Sequence, residues 1–424
     1  MSAIREVVTI FVGQAGTQIS NACWELFCLE HGIEPNGNLK KKYSTGNFTS
    51  FFSQTQQGLF TPRTIIVDLE PTVIDEIKTG AYKELFQLDS LITGNEDAAD
   101  NFARGYYSLG QEAIDITLDR IRKICENCSN LNAFIISRSV GGGTGSGFTT
   151  LLLEQLSEDY AKKLKLDFAP YNSVLTTHGT MDYVDCCFIV DNEALYDICA
   201  RKIFLIKCIY AHTYLYICRK LDVDAPTYTN LNRLQAQIIS NITASMRFDG
   251  VTNWNLEDIK TNLIPFPRLH FPLMAFAPII PSYKAAYSNI SEQQITLDCF
   301  DPANHMVRCD PRIGMYMSCC LLYRGNIKNI NEIKNIINFL KDKKFVRFVN
   351  FIKTNFKLGF NYLPTVTVPG GDLAPSKVTV ANLSNNTAIR HAWTRLASKF
   401  DLINFADARG NISALLEDYI EAET

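Results

Sequence analysis

Short apolar runs alternate with amphipathic stretches through the first two hundred residues. Four runs have the length and residue types of buried strands, and each ends in glycine or polar residues: 7–12, 64–71, 131–137 and 187–195. Helix-like segments follow them, as after Phe148, where apolar residues recur at helical spacing. This alternation predicts an α/β fold with a doubly wound, largely parallel sheet, whose ligands lie beyond the carboxyl ends of the strands.

The loop after the third run, "SRSVGGGTGSGFTT", places five glycines within seven positions. A strand, a glycine-rich loop and a helix start form an anion site, because free backbone N–H groups and the positive end of the helix dipole converge on one point. The loop is not the common P-loop, since no Lys-Ser/Thr pair closes it. The alternative is a plain flexible turn, although turns rarely need more than two glycines.

A nucleotide fits the loops at this edge better than other small ligands. The glycine loop would cradle phosphates, with hydroxyl donors from Ser139 and Thr144, and "GQAG" at 13–16 would cover them. Asp68 and Glu70 follow the second run, where carboxylates hold Mg²⁺ through waters. "GNEDAAD" at 94–100 is a further loop that reaches phosphate or metal.

Two asparagines, Asn192 and Asn232, offer the paired donor and acceptor that read a guanine edge. Simpler structural roles stay open for some of the predicted ligands. Asp68 and Glu70 could cap a helix, and Asn232 could be a solvated helix residue.

The remainder of the chain divides at a long amphipathic segment and a proline-rich boundary, "NLIPFPRLHFP" at 262–272. We predict four regions: a nucleotide-binding domain over 1–226, a central helix within 227–250, an intermediate domain over 251–374 and a C-terminal helical region over 375–424. An apolar, aromatic segment at 203–220 interrupts the first domain and is too short to span a membrane.

The composition excludes some partners. The chain has 424 residues, of which 46% are hydrophobic and 20% charged, as in a soluble globular protein. The net charge of -3 argues against non-specific electrostatic binding to nucleic acid or to acidic membranes. The 13 cysteines are scattered and odd in number, which is typical of reduced thiols in the cytosol.

Several blocks resemble the tubulin family in order: "VGQAGTQISNACWELFCLEHGI", "VDLEPTVIDEI", "EDAADNFARGYYSLG", "GGGTGSGF", "VDNEALYDIC" and "PTYTNLNRL". "TVTVPGGDL" at 365–373 is similar to a loop specific to the α type. The resemblance implies a GTP-binding α/β domain, an α+β intermediate domain and a C-terminal helical hairpin. It also implies pairing with β-tubulin, in microtubules of the cytoplasm, with GTP and Mg²⁺ as cofactors.

The family's contacts carry over residue by residue. The resemblance assigns Mg²⁺ to Glu70, and it assigns GTP to Gly13, Gln14, Ala15, Asp97, Ala98, Ser139, Gly142, Gly143, Thr144, Asn192, Tyr228 and Asn232.

One catalytic position departs from the family. The resemblance implies that α chains promote hydrolysis of the GTP on the next β subunit through a glutamate, and Asp258 holds the matching position. The carboxylate is one methylene shorter, and a misplacement of about 1 Å can cost on the order of a hundredfold in rate. Asp100, where the family has asparagine, adds a negative charge near the phosphates.

Segments of the family pattern are also missing. The chain runs directly from Ala169 to Pro170, omitting a strand and a turn of the ribose site, which predicts an opened sheet or a new pairing. Much of a helix is omitted after Phe405, on the surface that faces motors and microtubule-associated proteins, so we expect weaker binding of both. The loop at 40–42, near the family's acetylated lysine, is shortened.

Two alternatives to a microtubule subunit stay open. One is a GTP-binding relative that does not polymerise. The other is the product of a defective or misassigned gene model, because the near-copies "ICARK" and "ICRK" bracket the insertion. A dinucleotide-dependent oxidoreductase is disfavoured, since no G-x-G-x-x-G opens the first unit.

Overall fold

The structure of the protein is a computed structural model. It describes residues 5–40, 47–170, 174–200, 204–207, 214–217, 221–248, 250, 254–287, 290–328, 330–342, 346–351, 356–400 and 406–423.

The strands of the amino-terminal half are β1 (Glu6–Val12), β2 (Phe52–Gln54), β3 (Phe60–Pro62), β4 (Thr64–Asp68), β5 (Leu91–Thr93), β6 (Leu131–Arg138), β7 (Leu164–Pro170) and β8 (Cys186–Val190). Its helices are α1 (Gly13–His31), α2 (Pro71–Thr79), α3 (Leu109–Glu126), α4 (Thr149–Asp159), α5 (Val174–Thr180) and α6 (Asn192–Cys199).

The rest of the chain forms the strands β9 (Phe204–Lys207), β10 (Tyr214–Ile217), β11 (Leu273–Ala277), β12 (Tyr316–Gly325), β13 (Phe356–Asn361) and β14 (Val378–Asn386). Its helices are α7 (Tyr228–Arg247), α8 (Leu256–Leu263), α9 (Glu292–Asp298), α10 (Ile330–Asp342), α11 (Arg390–Phe400) and α12 (Ala406–Glu421).

The main sheet has six parallel strands in the order β5-β4-β1-β6-β7-β8. The order runs outward in both directions from β1 and β6, which is the doubly wound arrangement that the alternation of elements predicts. The switch point lies between β1 and β6, where Val12 is in register with Arg138. In such sheets the ligand crevice lies at this point.

Both faces of the sheet are covered by apolar helices. Along β1, Val7 and Phe11 pack on the side that holds α1, α2 and α7, whereas Val8, Ile10 and Val12 pack on the side that holds α3, α4 and the C-terminal helices. Because alternate side chains of a strand point to opposite faces, a run buried on both faces reads as continuously apolar. That is why the strands could be predicted from their composition.

The expected opening of the sheet after Ala169 is wrong. β7 pairs in parallel with β6 on one side and with β8 on the other, and Ala169 is in register with Ile189. The run from Leu164 onward is sufficient for a complete strand. The omission therefore shortens the connection between β7 and α5 at the carboxyl edge of the sheet, beside the predicted site, and leaves the sheet continuous.

The second domain is built on a mixed sheet in the order β11-β14-β12-β13. β14 is antiparallel to β11 and β12, and β13 is parallel to β12. The central helix α7 lies between the two domains, because it contacts α1 on one side and β12, β13 and β14 on the other. The C-terminal helices α11 and α12 pack against each other and against α5.

The atypical insertion at 203–220 contains a hairpin, in which β9 and β10 pair antiparallel. The residues before and after the insertion lie side by side, since Leu221 N donates to Ile198 O at 3.1 Å and Val223 N donates to Cys199 O at 3.1 Å. Residues 201–203, 208–213 and 218–220 of this segment lie outside the described residues, as do Lys41 and Lys42 of the shortened loop. No helix in the part of the chain that the structure describes is long and apolar enough to cross a membrane.

Candidate functional site

The predicted cradle lies at the switch point of the main sheet. Helix α1 begins at Gly13, directly after β1, and its N-terminus has no side-chain cap. Its first N–H groups are therefore free to bind an anion. Gly13 has φ +74°, and a Cβ on Gly16 would lie 2.7 Å from Ser137 O, so this turn fits against the end of β6 only with glycine.

The five glycines of the loop do not all serve a ligand, contrary to the simplest interpretation of the sequence. A Cβ added to Gly143 would lie 2.6 Å from the Cβ of Ala98. At Gly145 and Gly147 it would come well under 3.0 Å from backbone oxygens of this same domain. Gly142 differs, because its closest neighbour is Asp100 Oδ1 at 3.7 Å. Among these four glycines, Gly142 is the one with open space around its α carbon.

The packed glycines join two loops. Single π-helical turns at Arg104–Ser108 and Thr144–Phe148 lie against each other, and a Cβ on Gly105 would come well under 3.0 Å from Gly143 O. Such turns occur frequently at functional sites. The contact holds the loop that carries Asp97 against the cradle, so both loops are placed as one unit.

A buried ion pair between β6 and β7 supports the glycine loop of the cradle, and the sequence does not predict it. Arg138, the last residue of β6, donates to both oxygens of Asp167 on β7, with its Nη2 at 2.7 Å from Oδ2. Its Nη1 donates to Gly145 O at 3.3 Å. The two side chains are 1% and 0% exposed. The pair fixes the direction of the Gly145 peptide and thereby of the loop, but no sequence motif marks a pair on neighbouring strands.

Two carboxylates lie at the end of β4. Asp68 is 3% exposed, and burial raises its pKa to about 6, although hydrogen bonds from the Glu70 backbone and the Thr144 side chain oppose the shift. Glu70 lies at the N-cap position of α2 without a cap hydrogen bond, and its side chain accepts from Thr72 Oγ1. The capping alternative is therefore not supported for Glu70.

The donor set fits a hydrated Mg²⁺. Among the described residues no three His, Cys, Asp or Glu side chains cluster to hold a metal ion. Two hard oxygen donors suit Mg²⁺, which keeps several waters and takes phosphate oxygens as further ligands.

The other predicted residues differ in exposure. Gln14, Asp97, Asn192 and Tyr228 are exposed; Ala15, Ser139, Gly142 and Asn232 are half-buried; Gly13, Ala98, Gly143 and Thr144 are buried. The Ala98 side chain packs against Gly143 and so helps to hold the loop. Tyr228 and Asn232 line a cleft of about 420 Å³ between α1, α2 and α7.

Asp258 is not brought to the cradle. It lies in the first turn of α8, where its neighbour Glu257 accepts from Asn132 Nδ2 at 2.9 Å. Asn132 is the second residue of β6, so α8 lies about 20 Å from the cradle, at the opposite end of the sheet.

Comparison with known families agrees with both domains. The family model described as "Tubulin/FtsZ family, GTPase domain" matches residues 6–200. The model described as "Tubulin C-terminal domain" matches residues 267–398. The first match contains the cradle, and the second contains the mixed sheet. The two matches together cover more than half of the chain, and we conclude that it belongs to the tubulin family, with that family's GTP-binding GTPase domain in its amino-terminal half.

Proposed function

We propose that the chain is an α-type tubulin subunit that binds GTP in the cradle, pairs with β-tubulin and enters cytoplasmic microtubules. The observation that carries the proposal is the placement of the cradle and α8 at opposite ends of one sheet. Head-to-tail contacts generate filaments when the rotation between subunits does not close. Such a contact would bring α8 of one subunit onto the nucleotide edge of the next.

The α-type assignment is supported by the loop at 365–373. Its backbone joins the second domain, since Ser282 N donates to Asp372 O at 2.8 Å and Ala374 N donates to Ile280 O at 2.9 Å. The Asp372 side chain also accepts from Asn230 Nδ2 on α7 at 2.5 Å. The loop is thus a packed part of the fold.

In this proposal the backbone N–H groups of the cradle hold the phosphates, helped by Ser139. Thr144 orients Asp68, and Asp68 and Glu70 would hold the hydrated Mg²⁺. When bound, that ion neutralises phosphate charge. Asn192 and Asn232 bind the guanine edge, and Tyr228, 60% exposed on the first turn of α7, lies against the base.

Asp258 is proposed to promote hydrolysis of the partner's GTP. Its Oδ2 accepts from Asn255 N at 2.9 Å, which holds the carboxylate at the start of α8. A glutamate makes the same capping box with one more methylene of reach.

A second candidate function is GTP binding without polymerisation. Two features favour it: the short reach of Asp258 and the connection of only three residues, 171–173, between β7 and α5 at the nucleotide edge. Both features lie where a filament contact would form.

We expect the chain, co-expressed and purified with a β-tubulin, to retain one GTP per heterodimer. The measurement is chromatography of nucleotide released by denaturation, followed by light scattering of the pair under assembly conditions. GTP with assembly supports the α-type role, and GTP without assembly supports the second candidate. A folded chain without guanine nucleotide would contradict both.

Lengthening the catalytic carboxylate should increase hydrolysis. We expect Asp258→Glu to raise the GTPase rate of the assembled pair by about tenfold to a hundredfold, because the carboxylate gains roughly 1 Å of reach. The GTPase rate is measured as the rate of phosphate release. Asp115→Glu, an exposed change on α3, is the control. A rate unchanged by Asp258→Glu would mean that Asp258 does not act on the partner's nucleotide.

Removing the extra charge beside the cradle should tighten GTP binding. Asp100 is exposed, with φ +54°, and its carboxylate lies on the open side of Gly142. We expect Asp100→Asn to increase GTP affinity about fivefold at low salt, corresponding to roughly 1 kcal/mol of relieved repulsion, and less at high salt. Calorimetric titration with GTP measures it, with Asp115→Asn as control. Weaker binding would instead make Asp100 a direct ligand of the nucleotide.

A further inference from the structure

The cleft that ends at Tyr228 and Asn232 extends well beyond these two residues. It has a volume of about 420 Å³ and lies between α1, α2, the segment at 80–86 and the start of α7. Its apolar lining includes Trp24, Ile77 and Phe86. The volume is within the range of small-molecule sites, which combine apolar walls with a few polar groups.

Two N–H donors of this lining have no acceptor. Trp24 is 0% exposed, and its Nε1–H forms no hydrogen bond with the described residues; the buried Nε–H of Arg233 forms none with them either. A buried donor without an acceptor is costly, so a ligand that accepted from these groups would recover a hydrogen bond.

Arg233 is the stronger indication of a ligand. Its guanidinium forms no ion pair or hydrogen bond with any residue that the structure describes, whereas Arg247 at the other end of α7 is fully paired. Arginine binds carboxylates with its planar set of donors, and a partly buried guanidinium without a partner favours an anionic group.

The other walls carry the opposite charge. Glu25 lies on α1 and Glu76 on α2, both in the lining of the cleft. The cleft thus presents a cation on the α7 wall, carboxylates on the α1 and α2 walls, and apolar surface between them.

We propose that this cleft is a second binding site, separate from the nucleotide cradle, for a small zwitterion with an aromatic body, of the class of aromatic amino acids. The carboxylate of the ligand binds Arg233 and its ammonium binds Glu25 and Glu76. Its ring packs on Ile77 and Phe86. The guanine base occupies only the end of the cleft at Tyr228 and Asn232.

The test is calorimetric titration of the purified full chain with three probes, each with and without saturating GTP. L-phenylalanine carries both charges, N-acetyl-phenylalanine lacks the ammonium, and phenethylamine lacks the carboxylate. We expect L-phenylalanine to bind under both conditions and the other two to bind at least about tenfold more weakly, since hydrogen bonds to charged groups are lost.

Two variants test whether L-phenylalanine binds in the cleft. Arg233→Gln should weaken L-phenylalanine binding about tenfold, whereas Arg122→Gln, an exposed change on α3, should not. Should Arg233→Gln fail to fold, the exposed Glu76→Gln provides the same test at the ammonium end. Three results would overturn the proposal: no L-phenylalanine binding by folded chain, equal binding by the variants, or complete displacement by GTP, which would make the cleft the pocket of the base alone. The first two results are independent of whether the chain binds GTP.

Discussion

Replacing Gly105 by alanine is expected to lower the affinity for GTP by about a hundredfold or more and to destabilise the GTPase domain. The added Cβ would come well under 3.0 Å from the carbonyl of Gly143. Backbone cannot give way as a flexible side chain does, so the two π-helical turns must separate. Overpacking of this kind costs roughly 1–3 kcal/mol or more, and the cradle loses its geometry at the same time.

Gly142→Ala is the matched control, because Gly142 lies in the facing loop, next to Gly143, and has open space around it. Its added Cβ meets only Asp100 Oδ1 at 3.7 Å. We expect this variant to unfold at the wild-type temperature and yet to bind GTP weakly, since the methyl group projects into the space of the phosphates. Thermal unfolding and GTP titration of both variants separate the two effects. If Gly105→Ala retained wild-type stability and affinity, the contact between the turns would have no role in placing the cradle.

The parallel sheet could be predicted because its signals are local. Strands buried on both faces read as continuous apolar runs, as in β6, and the loops that follow them carry the glycines and acids of the site. The edge of the sheet at which these loops meet follows from topology alone. The sequence therefore predicts both the fold and the position of the cradle.

The internal support of the cradle could not be predicted in the same way. The contact between Gly105 and Gly143 and the pair of Arg138 with Asp167 join residues about thirty to forty positions apart, and neither has a periodic signal. The glycine cluster by itself predicts ligand space for the same reason, since the protein backbone that fills part of that space comes from another loop. The omission after Ala169 predicts a lost strand, although the residues that remain complete β7.

Glu30→Gln is expected to destabilise the protein by about 3–5 kcal/mol, because it leaves two buried cations without their counter-ion. The side chain of Glu30, in α1, is 0% exposed. It accepts from Arg247 Nη1 on α7 at 2.6 Å, and Arg324 Nη1 on β12 lies 2.7 Å from its other oxygen. Ser240 Oγ donates to it as well, at 2.7 Å. One carboxylate thus joins α1, α7 and the second domain.

Urea unfolding at pH 7 measures the loss of stability in Glu30→Gln as a lower midpoint concentration of urea. Glu112→Gln, an exposed carboxylate in the first turn of α3, is the control and should change the midpoint little. Adding Arg324→Met to Glu30→Gln removes one of the stranded cations, so the double variant should be more stable than the sum of the single changes predicts. Strictly additive effects would show that the ion pair contributes no coupling between the domains.

The pH dependence tests whether charge, and not packing, is responsible. Burial alone would raise the pKa of Glu30, but Arg247, Arg324 and the hydrogen bond from Ser240 outweigh it and lower the pKa to about 2. An acid whose pKa is lower in the folded than in the unfolded chain stabilises the fold above the unfolded pKa, near 4.5, and loses that contribution as the pH falls toward 2. The difference in stability between wild type and Glu30→Gln should therefore be complete above about pH 5 and shrink below it. A difference that stays constant from pH 7 to pH 3 would assign the cost to the amide group that replaces one acceptor oxygen, since glutamine has the shape of glutamate and differs in charge only where glutamate is ionised.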